Sequence, residues 1–448
     1  MVNEHGFDLY NRFTALNQVD SSFYERFDVK RGLRNQDGTG VLAGVTNIAN
    51  VHGYMISDGV KVPDEGSLQI RGYELYDLLG TPEDPRRFRY EELAYLLLMG
   101  ELPTREQLEE FIVVIDEERE LPEGFTASMI LRDTPDNVMN TLARTIISLY
   151  AHDVDAESRE YDHEIRTAIS LISRLPRIMV FSHYAKEARF NHGSMIMHPF
   201  IPGQSTAETI LSMLRPDRQF TEEEARMLDI MLCIHAEHGG GNNSTFTTRV
   251  LTSADTDAYA TYAAAIGSLK GSRHGGANHK IRAMQAEAKC EIDDWDNDDE
   301  VVDYLTRVVK KQAFDHSGLI YGMGHAVYTK SDPRAVICKQ FARQLAEGSE
   351  FEREFRLLES IERLSPAVLR DVKGTKKDVC ANVDMYSGLV YTMLGIPEDL
   401  FTPLFACARM AGWAAHRFEE IVAGKRIIRP AYKATFHGSR DYKPIDER

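Results

Sequence analysis

Two histidines stand next to a run of glycines near the middle of the chain, within LCIHAEHGGGNNSTFTTRV. At helical spacing, His235 and His238 continue the apolar stripe of Leu228 and Met231, so both imidazoles are predicted on the buried side of a helix end. An imidazole at that place could simply bond the last helical carbonyls. The glycines at 239–241 favour a ligand site instead, because backbone without side chains lets a ligand approach closely.

A second segment, GLIYGMGHAVYTKSDPRA, combines a histidine with an arginine. His325 follows two glycines in a predicted loop, a position suited to substrate contact. Arg334 falls in the first turn of a helix that Asp332 is predicted to cap. A cation at a helix start opposes the helix dipole unless an anion binds there. Arg334 is therefore either part of an anion site or a surface arginine paired with a carboxylate.

An aspartate and two further arginines complete the candidate residues. Asp384, in ANVDMYSGLVYTMLGIP, has the position of a plain N-cap for the helix that follows it. Arg409 and Arg429 are candidates for holding a carboxylate, since a guanidinium group binds carboxylate through two parallel hydrogen bonds. Around Arg409, small residues at helical spacing predict a packing face formed by Ala408, Gly412, Ala415 and Phe418.

The elements that position these residues are predicted to be helices almost throughout. Helix starts are predicted from capping residues or an early proline at Thr104 with Gln107, Thr134 with Pro135, Thr221 with Glu224, and Asp332 with Pro333. The third of these helices is predicted to run to the glycines at 239–241, and the fourth to end near Gly348. Strand-like alternation is limited to one predicted hairpin between residues 41 and 73, so the fold class is mainly α.

The composition argues against several classes of protein. The chain has 448 residues, with 52 Lys plus Arg against 69 Asp plus Glu and a formal net charge of −17. A nucleic-acid binder needs a basic face, so no nucleic-acid partner is expected. Five widely spaced cysteines without a CxxC pair argue against a disulfide framework. The chain start lacks a signal-peptide layout and no apolar run reaches membrane-spanning length, so we expect a cytoplasmic protein without a membrane partner.

Common nucleotide-binding and hydrolytic motifs are missing from the sequence. It contains no GxxxxGKS or GxxxxGKT loop, no GxGxxG after a strand, no GxSxG elbow and no HExxH. His235-Ala236-Glu237 matches half of a zinc deaminase motif, but no PCxxC follows, and a third ligand at a convincing spacing is missing. No metal is expected. The acidic run Glu291–Glu300 is expected to be an exposed loop or helix entry rather than a partner patch.

Several of these segments, in this order, resemble those of citrate synthases: HAEHGGGN, HGGAN (His274–Asn278), GMGHAVYTKSDPRA, NVD (Asn382–Asp384), FACARMAGW and RP (Arg429–Pro430). The resemblance extends from about Tyr54 to Tyr432. It implies a mainly α, citrate-synthase-like two-domain helical fold. Residues 1–239 and 396–448 would form the large domain and residues 240–395 the small one, with the active site in the cleft.

The resemblance also implies a reaction and its catalytic residues. Acetyl-CoA would condense with oxaloacetate, and hydrolysis of the resulting thioester would release citrate and CoA. Asp384 would remove the methyl proton of acetyl-CoA as general base. His238 would hydrogen-bond the thioester carbonyl, and His325 would polarise the ketone of oxaloacetate.

Binding residues follow from the same resemblance. Arg334 and Arg409 would hold the dicarboxylate, joined by Arg429 from the partner subunit of a homodimer. Arg273 and Lys330 are candidates for contacts with the CoA phosphates. No cofactor is implied, because acetyl-CoA is consumed as a substrate.

The sequence departs from the family pattern at several positions. Thr206 stands where many relatives have a histidine that helps to hold oxaloacetate, and Gly239 follows the first catalytic histidine where Glu is common. Ala326 and Thr329 replace residues that are often basic, and Gly271–Arg273 replaces a Gly-Pro pair. Two alternatives stay open: a 2-methylcitrate synthase that uses propionyl-CoA, and a non-catalytic CoA-binding relative of the same fold.

Overall fold

The computed structural model of the protein describes residues 11, 13, 17–81, 90–374, 378–436 and 439–447. The described residues fall into two compact units. One contains residues up to Ala43 together with those from Ile428 onward, and the other contains Gly44–Ile427. These units divide the chain differently from the large and small domains predicted above, and that two-domain division stays a prediction.

The described residues of the smaller unit contain little regular structure. Its helical segments are α1 (Ser22–Arg26) and short 3-10 turns at Arg31–Leu33 and Ile445–Glu447. The ring of Phe27 stacks on that of Phe23, with 5.9 Å between centroids. The ammonium group of Lys433 lies 5.7 Å from the centre of the Phe27 ring, so the two ends of the chain meet within this unit.

The larger unit is mainly helical, as predicted. Its first helices are α2 (Leu75–Leu79), α3 (Tyr90–Met99), α4 (Arg105–Glu118), α5 (Val138–Leu149), α6 (Tyr161–Phe190), α7 (Thr206–Leu214) and α8 (Glu222–Ala236). They are followed by α9 (Asn243–Thr252), α10 (Ala258–Lys270), α11 (Ala277–Glu291), α12 (Asp298–Val309), α13 (Pro333–Ala346), α14 (Glu352–Lys373), α15 (Asp384–Met393) and α16 (Phe401–Ala423). Short turns of other helix types lie at Thr126–Leu131, Tyr150–His152 and Glu398–Leu400.

One small antiparallel sheet accompanies the helices. Strands β1 (Ala49–Ser57), β2 (Val60–Ile70) and β3 (Tyr73–Glu74) pair in the order β1-β2-β3. The predicted hairpin is confirmed, with a third short strand added. Its register shifts between His52 and Tyr54, where Gly53 lets the chain pass close to the loop that contains His325.

The capping boxes are confirmed. The hydroxyl of Thr104 accepts from the backbone N–H of Gln107 at 3.2 Å, and the Gln107 side chain accepts from the Thr104 N–H at 2.9 Å. Thr221 and Glu224 form the same pair of bonds at the start of α8. Asp332 caps α13, which ends at Ala346, close to the predicted end at Gly348.

Two predicted helix boundaries are wrong. The helix expected to begin at Thr134–Pro135 begins at Val138, because the Thr134 hydroxyl donates backwards to the carbonyl of Ile130 at 2.8 Å instead of capping forwards. Helix α8 ends at Ala236, before His238 and the glycines. Glu237 has an extended backbone conformation, which cannot continue the helix.

Helix α16 forms the centre of the larger unit. It is buried along most of its length and packs against α3, α6, α8 and α9. A Cβ atom at Gly412 would lie 2.3 Å from the carbonyl oxygen of Ala236, so only glycine lets α16 approach the end of α8 this closely. This contact lies on the predicted small-residue face.

The acidic run Glu291–Glu300 comprises the end of α11, a mostly exposed loop and the first turn of α12, as expected. Among the residues described, no helix combines the length and the apolar character needed to cross a membrane.

Candidate active site

His238 lies just beyond the end of α8 and is buried, with 8% of its surface exposed. Its ring meets that of His325 edge to face, with 5.0 Å between centroids. Burial lowers the pKa of His238 well below its ordinary value, and the nearby charge of Arg334 lowers it further. The imidazole is therefore neutral at pH 7, and its Nε2 atom has no hydrogen-bond partner among the described residues.

His235, the other histidine of the segment, belongs to the core. It is buried in the last turn of α8. Its ring packs on that of Phe405, with 4.3 Å between centroids. Since α8 ends before His238, the two imidazoles do not share one helical stripe as predicted.

His325 lies in the loop that precedes α13, and its ring stacks on that of Tyr328 with 4.6 Å between centroids. Its Nδ1 atom accepts from the backbone N–H groups of Val327 and Tyr328, each at 3.1 Å. In the neutral ring the proton is therefore assigned to Nε2, which can donate to another group. The tight loop fixes this tautomer.

A short bridge between segments holds the His325 loop beside the start of α15. The N–H of Gly324 donates to the carbonyl of Cys380 at 2.7 Å, and the N–H of Asn382 donates to the carbonyl of Gly322 at 2.9 Å. The Asn382 side chain adds a bond to the Gly324 carbonyl at 3.1 Å. These hydrogen bonds fix the positions of two segments, residues 322–325 and 380–384, relative to each other.

Asp384 is the first residue of α15, and its carboxylate does not cap the helix. The Asn382 side chain accepts from the Asp384 N–H at 3.1 Å, so Asn382 provides the capping hydrogen bond that was predicted for Asp384. The plain N-cap interpretation is therefore wrong. Burial raises the pKa of Asp384 to about 6, against the opposing positive charge of Arg334. Such a carboxyl group is suited to proton transfer near neutral pH.

Arg334 is buried and paired. Its Nε donates to Asp332 Oδ1 at 3.1 Å and its Nη2 donates to Oδ2 at 2.7 Å, while Asp332 also caps α13. The sequence left open whether Arg334 pairs with a carboxylate, and it does. The pair lies in the interior, however, and not on the surface as that alternative assumed. The guanidinium of Arg334 also lies 6.0 Å from the centre of the Tyr328 ring, next to both histidines.

Arg409 projects from the fully buried part of α16. Its Nε donates to the carbonyl of His235 at 2.5 Å. Both terminal nitrogens, Nη1 and Nη2, are buried and have no hydrogen-bond partner in the described part of the chain. Burial lowers the pKa of Arg409 to about 9, so the group is still a cation at pH 7. A buried guanidinium with two unpaired nitrogens can bind a carboxylate through two parallel hydrogen bonds.

A buried acidic group behind these residues was missed by the sequence analysis. Glu237 has no exposed surface. One of its oxygens accepts from the Gly239 N–H and from His416 Nε2, which lies 2.9 Å away. Arg249 contacts His416 Nδ1 at 2.7 Å, so Nδ1 is the acceptor and Nε2 carries the proton that faces Glu237. The place of Glu237, between two histidines and before a glycine run, was the available signal.

The structure groups five of the predicted residues in the larger unit. The rings of two of them are in contact, backbone hydrogen bonds link their loops, and the charge of one group shifts the pKa of another. These five residues are His238, His325, Arg334, Asp384 and Arg409.

The remaining predicted residues are not joined to them. Arg273 is exposed in the turn before α11, and Lys330 is exposed at the end of the His325 loop. Arg429 is exposed in the smaller unit.

The departures from the family pattern have visible local roles. The Thr329 hydroxyl donates to the carbonyl of Gly53 at 2.8 Å. Gly239 has φ +79°, where a Cβ would lie 2.8 Å from Val51. Thr206 begins α7, and its N–H donates to a Glu91 oxygen at 2.7 Å. These contacts connect two of the departures, Thr329 and Gly239, to β1.

Comparisons with known proteins match most of this chain, including the segment in which the sequence resembles citrate synthases. The family model for the citrate synthase C-terminal domain matches residues 37–431. Citrate synthase from Haloferax volcanii is 32% identical, over 94% of this chain and 99% of its own. 2-Methylcitrate synthase 2 from Corynebacterium glutamicum is 30% identical, over 94% and 98%.

A solved structure shows the same fold. It is the ternary complex of citrate synthase from Thermoplasma acidophilum with carboxymethyl coenzyme A and oxaloacetate. The TM-score is 0.74 at 24% sequence identity, and the match covers 94% of this chain and 99% of that one. Because the family model and both relatives span most of the sequence, this chain belongs to the citrate synthase family and is an enzyme of its acyl-transferring type.

Proposed function

We propose that this protein condenses acetyl-CoA with oxaloacetate and hydrolyses the citryl thioester to citrate and CoA. The observation that carries the proposal is the buried Arg409, whose two unpaired nitrogens call for a carboxylate. Neutral His238 and an Asp384 with a pKa of about 6 lie in the same site. A carboxylate fork, a neutral hydrogen-bonding group and a base are what this condensation needs.

In the first step of the proposed mechanism, the Asp384 carboxylate takes a methyl proton from acetyl-CoA. That proton is only weakly acidic, so the charge that develops on the thioester oxygen needs a hydrogen bond. A neutral imidazole at His238 can donate one without carrying a positive charge of its own. A donor aimed at a developing oxyanion contributes about 3–4 kcal/mol, in addition to general base catalysis.

In the second step, the enol carbon attacks the ketone of oxaloacetate. His325 would donate from Nε2 to the ketone oxygen, because its Nδ1 already accepts two backbone N–H groups. Arg409 would bind a carboxylate of oxaloacetate through its terminal nitrogens. Arg334 has two of its nitrogens on Asp332, so we assign it mainly a positive charge close to the substrate. Water then cleaves the thioester and releases CoA.

Three further parts of the proposal rest on the family resemblance, and a fourth, the location in the cell, rests on the sequence pattern alone. Arg273 and Lys330 would contact the CoA phosphates, and their exposure suits a ligand that reaches the surface. The enzyme would be a homodimer in which Arg429 completes the partner's site. The large and small domains would close around the substrates, and the enzyme would act in the cytoplasm.

The alternative within the family is condensation of propionyl-CoA, which would make 2-methylcitrate. A 2-methylcitrate synthase is 30% identical to this chain, close to the 32% of a citrate synthase. One extra methylene changes the binding free energy by only about 1–3 kcal/mol, so a small change in the acyl pocket decides between the two. Thr206, in place of a family histidine, leaves the preference for the oxoacid open as well.

The test is CoA thiol release by the purified protein with oxaloacetate, comparing acetyl-CoA with propionyl-CoA. We expect a higher kcat/KM with acetyl-CoA. A preference for propionyl-CoA would replace the proposal by its alternative. If folded protein releases no CoA from either thioester but binds CoA, the non-catalytic alternative holds.

A further inference from the structure

A second group of potential ligands lies outside the candidate active site. It lines a surface cleft of about 510 Å³ between α6, the start of α11 and the turn before α16. Its charged and titratable lining residues are His183, Lys186, Glu187, His279, Glu398 and Asp399. Three carboxylates against one ammonium group make the cleft attractive to cations. None of these side chains has a role in the mechanism proposed above.

Three of these side chains converge at one point. His183 and Glu187 lie one turn apart on the same face of α6. One ligand atom from each of them, together with one carboxylate oxygen of Asp399, lies within 4.8 Å of the other two. We propose that His183, Glu187 and Asp399 form a binding site for a divalent transition metal ion, of which Zn²⁺ fits best.

The chemistry of the three ligands supports Zn²⁺. Imidazole nitrogen and carboxylate oxygen are both good zinc ligands, with bonds of about 2.0–2.2 Å, so the three atoms need to move together by about 1 Å. Glu187 is half-exposed, and its Oε1 accepts from the Asn191 side chain at 2.8 Å, a surface hydrogen bond that a bound metal ion would replace. Three protein ligands leave a fourth position for water, and His279 lines the same cleft.

Two of the three ligands, His183 and Asp399, hold each other in place. His183 Nδ1 lies 3.1 and 3.2 Å from the two oxygens of Asp399, and Lys186 Nζ lies 2.8 Å from one of them. The ammonium group of Lys186 therefore competes with a metal ion for this carboxylate. Bound metal would tie α6 to the turn that leads into α16.

The experiment measures Zn²⁺ binding by equilibrium dialysis of the full chain after treatment with a chelator. We expect wild-type protein to hold one more Zn²⁺ per chain than Glu187→Gln or His183→Ala, or to bind it at least 10-fold more tightly. Because Glu187 is half-exposed, Glu187→Gln is expected to fold even if His183→Ala does not. Lys186→Met is expected to raise the affinity several-fold, because the competing ammonium group is removed.

A matched control is available on the same helix. His163 also lies on α6 and pairs with one carboxylate, Asp153, at 3.0 Å, but among the described residues it belongs to no group of three potential ligands. His163→Gln is expected to bind Zn²⁺ as wild type does. Zinc held by thiols or by the active-site histidines would appear equally in every variant. Equal Zn²⁺ binding by wild type, His183→Ala and Glu187→Gln would overturn the proposal.

Discussion

Asp384 sets the pH dependence that we expect for catalysis. Burial raises the pKa of its carboxyl group to about 6, and the group must be ionised to accept a proton. We therefore predict that kcat/KM for acetyl-CoA falls below about pH 6, with the slope of a single proton. Asp384→Asn should lower kcat at least about 100-fold at pH 8. A wild-type profile that is flat down to pH 5 would contradict this role.

The same carboxyl group lowers stability near neutral pH. A pKa raised from 3.8 to about 6 means that the folded protein favours the protonated form. The stability that the protonated carboxyl group contributes is thus fully present below pH 3.8 and is lost as the pH rises through 6. Asp384→Asn removes this loss and should raise the free energy of unfolding at pH 7.5 by about 3 kcal/mol. Urea unfolding at pH 4 and pH 7.5 tests this, with exposed Asp371→Asn as the control.

Arg409 should contribute mainly to oxaloacetate affinity. Its terminal nitrogens are buried without partners, whereas its Nε is used by the His235 carbonyl. We predict that Arg409→Lys, which keeps the charge and loses the fork, weakens oxaloacetate binding by about 2–3 kcal/mol. Calorimetric titration measures this change, and thermal unfolding verifies that the variant is folded. An unchanged oxaloacetate Kd would mean that the fork binds another group.

At the scale of elements, the β1–β2 hairpin holds the His325 loop in place. The Gly66 N–H donates to the Ser331 hydroxyl at 3.0 Å, and Gly53 accepts from Thr329. A Cβ atom at Gly66 would lie 2.0 Å from the Ser331 carbonyl oxygen, so the two segments would have to separate.

Gly66→Ala is therefore predicted to lower the free energy of unfolding by about 1–3 kcal/mol. Because His325 moves with the loop, kcat should also fall. Gly267→Ala is the matched control, since a Cβ at this helical position meets nothing within 4 Å and should leave stability unchanged or slightly higher. If both variants unfold at the same denaturant concentration, the hairpin does not hold the loop.

At the scale of the whole molecule, the proposed homodimer can be tested by complementation. Arg429→Ala and Asp384→Asn should each be nearly inactive as homodimers. In a two-fold symmetric mixed dimer one site would receive both defects and the other neither, so about half of the wild-type activity should return. Purified mixed dimers carrying two different affinity tags give the measurement. No recovery would rule out a role for Arg429 in the partner's site.

Local chemistry alone determined much of the helical framework. The capping boxes at Thr104 and Thr221 are formed by residues three positions apart, and the cap of α13 by Asp332 is equally local. Such bonds depend on little beyond the neighbouring residues, so sequence predicts them. The set of candidate residues also came from short motifs, and five of its members meet in the structure.

Only the tertiary structure decided what these residues can do chemically. The close approach of α16 to the end of α8 depends on Gly412, which follows Ala236 by more than 170 positions in the chain. Asp384 is free of capping because Asn382 does that work, and its raised pKa comes from burial. Burial also leaves Arg409 with unpaired nitrogens, and packing encloses Glu237. Desolvation depends on everything that surrounds a group, and most of those neighbours are distant in sequence.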